Sequence, residues 1–375
     1  MADITFYTFD SLKDEMDQFL KSYELIDFVI PPDKAMRKLK PRLQRQCRYC
    51  GKNGKDTKFR MEAHLIPRLL GNRYLISDFE CDTCNGRFST YESNLTQMLG
   101  LTKIVFGLSD EKEKSSYTSK GKSLRADTLG LPDQQKGVLL SDEDGTNIFH
   151  DMETAQTLVD YTKGAYIPLY VYRALLKTAL GLVPKEEVRK YRYAFDFLFQ
   201  DNPPQEHLSV CKVHFDEIHR DYTVHCYLFK RISDTERLPS HIFKLYYRNM
   251  IFQFFIPFYL SDIPLIYDGQ PCTPIWCPPI FFQPASERET YRRYIRDLSS
   301  TEKIIEKGYL KFDFVKESMN ELTAYDPKTG TSNSTDGSSM GKIRKMLLVK
   351  GNPSFDPATI SSLIKELTAD REKKK

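Results

Sequence analysis

Two Cys-x-x-Cys pairs, Cys47/Cys50 and Cys81/Cys84, stand either side of one histidine, His64, and constrain this chain more than any other feature. Thiolates at that spacing occupy two corners of a tetrahedral zinc shell, and a second pair completes it. Buried structural thiols are the plainer alternative, but the spacing repeated twice favours a metal. A zinc ion held by four cysteines has no open position for water or substrate. Any chemistry then falls to another group, and His64 is the obvious one.

The surrounding residues are Ala63-His64-Leu65-Ile66-Pro67, Leu70-Gly71-Asn72, Glu80-Cys81-x-x-Cys84-Asn85, Phe88 and Glu92. This order of knuckle, histidine on a short strand, second knuckle and helix resembles the four-cysteine zinc-knuckle branch of the HNH endonucleases. The resemblance spans about fifty residues. It implies a ββα-metal module in which Cys47, Cys50, Cys81 and Cys84 hold a structural Zn2+. His64 would be the general base on the attacking water, a role suited to imidazole because its pKa lies near working pH. Asn85 would orient His64, and Glu92 or Asn94 would ligate a catalytic Mg2+ or Mn2+, with Glu80 a third choice. The sequence departs from the family at Ala63, where many members carry an acidic metal ligand. Glu62 does not substitute simply, because neighbouring strand residues face opposite ways. A nuclease acting on double-stranded DNA, in bacterial anti-phage defence or a mobile element, is the function implied. The alternative is a catalytically inactive zinc-knuckle nucleic-acid-binding protein, which Ala63 supports.

A net charge of +4 over 375 residues is too small to argue for nucleic acid by itself, so charge is read locally. Between residues 34 and 55 there are nine basic residues and no acid: Lys34, Arg37, Lys38, Lys40, Arg42, Arg45, Arg48, Lys52 and Lys55. Such a run is usually a solvated face. Joined to the first knuckle it reads as phosphate-binding surface, with Lys38, Lys40, Arg42 and Arg45 as the candidate contacts. The remaining cysteines, Cys211, Cys226, Cys272 and Cys277, are scattered as in a reducing cytoplasm. No signal sequence or membrane span is expected; the most apolar run, 250–267, is broken by Gln253, Pro257, Asp262 and Pro264. His207, His214, His219, His225 and His241 lack ligand spacing and read as half-buried side chains.

The fold expected is α+β: the ββα-metal (HNH) zinc-knuckle module, then an α+β domain with an antiparallel sheet. The boundaries are 1–46 for an N-terminal strand, helix and basic segment, 47–105 for the nuclease module and 106–150 for a polar extension. Residues 151–325 form the second domain, 326–342 a flexible linker and 343–375 a strand and helix. Helical spacing predicts helices over 11–23, 162–182 and from Pro184, and alternation predicts strands over 208–215, 222–232, 242–247 and 251–259 in a meander. Ser286 and Glu289 read as a capping box opening a helix to about residue 307. The 151–325 domain is expected to select substrate, a regulatory protein partner or a second copy of the chain.

Overall fold

The computed structural model describes residues 5–34, 39–106, 116–130, 136–151, 154, 156–201, 203, 208–215, 224–233, 237–266, 275–284, 290–313, 322–326, 331–335 and 343–349. They form two compact units, each discontinuous: residues 1–98 with 166–304, and residues 99–165 with 305–375. The chain leaves the first unit, builds part of the second, returns, and ends in the second. This differs from the linear series of domains that composition suggests.

The first unit opens with α1 (Lys13–Ser22), whose first turn holds Asp14 and Glu15 and whose last holds Lys21. Strand β1 (Tyr23–Val29) follows directly. The small hairpin β2 (Ala63–His64) and β3 (Ile76–Ser77) pairs Ala63 with Ser77 and His64 with Ile76. Helix α2 (Asp82–Leu99) completes the ββα arrangement.

The second unit then begins with α3 (Thr102–Val105), β4 (Ser116–Thr118), β5 (Leu124–Gly130), β6 (Lys136–Asp142), β7 (Ile148–Asp151) and β8 (Gln156–Thr162). These strands form two sheets around a core of Leu124, Ala126, Val138, Leu140, Ile148, Val159 and Tyr161. Residues 106–150, expected to be a polar extension, thus supply paired strands. Leu124 and Ala126 of β5 are buried beside exposed Arg125, while β6 is buried along residues 137–142, Ser141 and Asp142 included.

Back in the first unit, α4 (Pro168–Leu182) places Pro168 at its start, where a missing N–H costs nothing. The short helix α5 (Arg192–Phe197) packs beside it through Tyr172 and Phe197, ring centroids 6.1 Å apart. Strands β9 (Ser209–Phe215), β10 (Val224–Arg231), β11 (His241–Tyr247) and β12 (Met250–Phe255) match the alternating segments of the sequence. A further strand, β13 (Tyr291–Asp297), gives an antiparallel sheet of order β1-β10-β11-β12-β9-β13. The meander therefore holds only from β10 to β12, since β9 pairs with β12 and not with β10. The expected helix after Ser286 is also corrected: residues 291–297 pair with β9, and long-range pairing overrides a local capping signal.

Both faces of the sheet are covered. On one lie Phe9, Leu12, Phe19, Ile280 and Phe281 against Tyr227, Phe229, Ile242 and Ile251. On the other, Tyr172 of α4 meets Phe254 with centroids 5.4 Å apart.

The second unit closes with β14 (Lys307–Asp313) on β8, the hairpin β15 (Leu322–Asp326) and β16 (Thr331–Thr335), and β17 (Lys345–Val349) on β6. Residues 331–335, assigned by composition to a flexible linker, are thus a paired strand; 336–342 and the expected C-terminal helix lie outside the described residues. No helix among the described residues is long and apolar enough to cross a membrane.

Candidate metal and nuclease site

Cys47 and Cys50 lie in a turn closed by Gly51, whose N–H donates to the Cys47 carbonyl and whose positive φ of 74° suits a residue without Cβ. Cys81 and Cys84 flank the start of α2. The four Sγ atoms all lie within 4.8 Å of one another, with Cys47 to Cys84 and Cys50 to Cys81 both 3.7 Å. Tetrahedral Zn–S bonds of about 2.3 Å require sulfur atoms about 3.8 Å apart. The cysteine cluster therefore fits a structural zinc ion.

The strand that carries His64 is fixed from several sides. Asp82, at the start of α2, accepts the N–H groups of Arg60 and Met61 at 2.8 and 3.0 Å. The loop from β2 to β3 is tied by buried Asn72, whose amide donates to the carbonyls of Ile66 (2.6 Å) and Leu75 (3.1 Å). Its oxygen accepts the Leu75 N–H at 2.9 Å, which explains the Leu70-Gly71-Asn72 motif.

The module packs on α4. Tyr49 stacks edge-on against Phe88 and donates its hydroxyl to the Lys177 carbonyl at 3.0 Å. Arg48 donates to the carbonyls of Leu180, Gly181 and Val183 at 3.2, 2.8 and 2.9 Å, capping the C-terminal end of α4. Its guanidinium also lies 4.2 Å over the Phe79 ring. Arg48 is thus taken out of the run expected to bind phosphates. Gly181 permits the close approach, since a Cβ there would meet Leu65 Cδ1 at 2.3 Å.

His64 is half-buried, and among the described residues neither ring nitrogen makes a hydrogen bond; Nδ1 is buried without a partner. Burial, then Lys177 and Arg68, lower its pKa against the opposing pull of Glu62, so the imidazole is neutral near pH 7. An unprotonated nitrogen without a competing partner is what a general base needs.

Asn85 is half-buried in the first turn of α2, and no hydrogen bond joins it to His64. Glu92 lies seven residues on, which returns it to the same helix face. One oxygen of Glu92 is 3.3 Å from the Lys177 ammonium, and the other has no partner among the described residues. Asn94 is placed elsewhere: its oxygen accepts the Ile167 N–H at 2.7 Å and its amide donates to the Thr90 carbonyl at 2.8 Å. With that oxygen committed to positioning the start of α4, Asn94 is not retained as a metal ligand.

Lys177 is the residue that motif reasoning missed. Its ammonium donates to the His64 carbonyl at 2.5 Å and lies 3.2 Å from Glu80 and 3.3 Å from Glu92. Burial works to lower its pKa, but the two carboxylates outweigh it and hold the ammonium charged. Glu80 is pushed up to about 7, chiefly by burial and partly by Glu92, while Lys177 opposes the shift. The available signal was the composition of α4, where Arg173 and Lys177 are the only charges in a helix buried on almost every side.

Of the proposed phosphate contacts, Lys40 and Arg42 are exposed and Arg45 is half-exposed, its Nε donating to the Lys40 carbonyl at 2.8 Å. Lys38 lies outside the described residues.

Hairpin, zinc-binding cysteines and helix together define a ββα-metal module. Residues 47–99 match the family model described as HNH endonuclease, so the similarity covers this module and not the rest of the chain. No curated protein and no solved structure matches the chain.

Proposed function

We propose that the chain is a metal-dependent endonuclease that hydrolyses phosphodiester bonds of double-stranded DNA. The observation that carries the reading is the neutral, unpartnered imidazole of His64 on the hairpin of an HNH-type module. His64 takes the proton from the attacking water. Asn85 orients that base once substrate is bound, since catalytic hydrogen bonds often tighten only then. The uncommitted oxygen of Glu92 suits Mg2+ or Mn2+, which need only one or two carboxylates and otherwise keep water. Such an ion, when bound, stabilises charge on the leaving oxygen. Lys40, Arg42 and Arg45 attract the DNA backbone beside the first knuckle.

A catalytically inactive binding module is the second reading, favoured by the buried methyl of Ala63 where many HNH enzymes carry a ligand. Plasmid nicking separates the two. The zinc-loaded protein should nick supercoiled DNA with Mg2+ or Mn2+ and stop with chelator. His64→Ala should keep its zinc and its DNA affinity while losing about 10²–10⁴-fold in rate. Cleavage by His64→Ala at the parental rate would overturn the nuclease mechanism.

A further inference from the structure

The hairpin that carries His64 is minimal. Each strand has two residues, and so short a ladder holds its backbone weakly. Asp82 and Asn72 brace it from within the module, and a further tie comes from outside the residues that match the nuclease family. Lys177 lies 113 positions further along the chain, and its side chain is 1% exposed. Its ammonium donates to the His64 carbonyl at 2.5 Å and to Glu92 Oε1 at 3.3 Å, and forms an ion pair with Glu80 Oε2 at 3.2 Å. The group is too buried to touch a nucleic acid, so it is not itself catalytic. Stability alone does not account for it either, because an apolar residue of similar volume often serves as well as a buried ion pair. What an apolar side chain does not supply is one rigid point bound to both the backbone of the base and the carboxylate of the candidate ligand.

We propose that Lys177 is a positioning residue for hydrolysis: it holds the His64 backbone and the Glu92 carboxylate in one frame, so the nuclease site is complete only with α4 in place. The inference rests on the nuclease reading above and extends it to a residue outside the 47–99 module. With Glu92 Oε1 held by the ammonium, Oε2 keeps a fixed direction relative to His64. Loosening that frame should slow the chemical step, since a misplacement of about 1 Å can cost on the order of 10²-fold.

The test uses the full-length, zinc-loaded protein. Lys177→Met leaves Glu80 buried without its counter-ion and can fail to fold. The informative variant is therefore Lys177→Met/Glu80→Gln, which removes both charges together. It is measured beside the parent and His64→Ala for zinc content, unfolding midpoint, DNA affinity and cleavage rate at saturating DNA across a manganese titration. The double variant should keep its zinc, fold and DNA affinity, while its rate falls about 10–100-fold and half-activation needs more manganese. A folded double variant that cuts at the parental rate, beside an inactive His64→Ala, overturns this inference alone. Loss of zinc or of folding in the double variant overturns it too, by showing a structural role. A parent that does not cut, or a His64→Ala that cuts equally well, overturns the nuclease reading and this inference with it.

Discussion

Arg48 separates two roles that a basic side chain beside a zinc knuckle can have. In the structure it caps α4, and Arg48→Met should therefore cost stability and not DNA affinity. Three carbonyls converge on one nitrogen, Nη1, at 2.8, 2.9 and 3.2 Å. That nitrogen has two hydrogens, so the contacts count as two charge-assisted bonds. At about 1.5–3 kcal/mol for each hydrogen bond to a charged group, they amount to roughly 3–6 kcal/mol. The site is half-buried and water recovers part of that when the guanidinium is removed, which brings the loss to about 3 kcal/mol. Methionine keeps the packing over Phe79 but gives up the cation–π attraction, worth about 0.5–1 kcal/mol at such a site. Urea unfolding of the zinc-loaded protein should show the unfolding constant raised by roughly 10²-fold. DNA affinity measured across a salt series should keep the parental slope. An unchanged unfolding midpoint together with a flatter salt dependence would refute the capping assignment and return Arg48 to the run proposed to bind phosphates.

Cys81→Ser should remove bound zinc, read by elemental analysis, and destabilise the module, because binding free energy at such a site is also folding free energy. Replacing Lys40, Arg42 and Arg45 together by Gln should lower the magnitude of the logarithmic salt slope for DNA by about 0.9 for each phosphate no longer neutralised, with little effect on unfolding. Burial holds His225 at about 3 and His241 at about 4, below the ordinary 6.5, so the folded state keeps both neutral where the unfolded chain binds protons. Stability from these two is complete above about pH 6.5 and is lost as pH falls towards 4 and then 3. By pH 5 each should have cost on the order of 2 kcal/mol, so the urea midpoint should fall from pH 7 to 5 and fall less in His241→Gln.

The sheet was legible in the chain where burial alternates or runs continuously. Segments 209–215, 224–231, 241–247 and 250–255 are rich in Tyr, Phe, Val and Ile, and each is a strand. Strand β1 was hidden between a clear helix and Pro31-Pro32, although Tyr23-Glu-Leu-Ile-Asp-Phe-Val29 has the side chains of a strand. For β13, the upstream Ser286/Glu289 signal competed with the alternation of Tyr291-Arg-Arg-Tyr-Ile-Arg-Asp297, and pairing with β9 decided it. The interleaving of the two units left no local trace. Leu310 of β14 pairs with Val159 of β8 across 151 positions, and periodicity carries no record of such a partner.

At the site, legibility follows the range over which each interaction acts. A zinc shell imposes its spacing within a few residues, so the four cysteines were visible, and His64 stood out by its place between them. Asn94 satisfied the same local logic, yet its oxygen holds the Ile167 N–H, a partner that spacing cannot show. Lys177 is the opposite case: unremarked among motifs, its ammonium ties the backbone of His64 to Glu80 and Glu92. The two cases share a cause. An apolar helix such as α4 tolerates a buried cation only if acceptors meet it, so Arg173 and Lys177 each had to find partners. Arg173 found the Gln200 carbonyl and the rings of Tyr91 and Phe197, and Lys177 found the nuclease module. A charge in the wrong face of a helix is therefore as informative as a motif: it announces that some other segment must come to it, and here that segment carries His64.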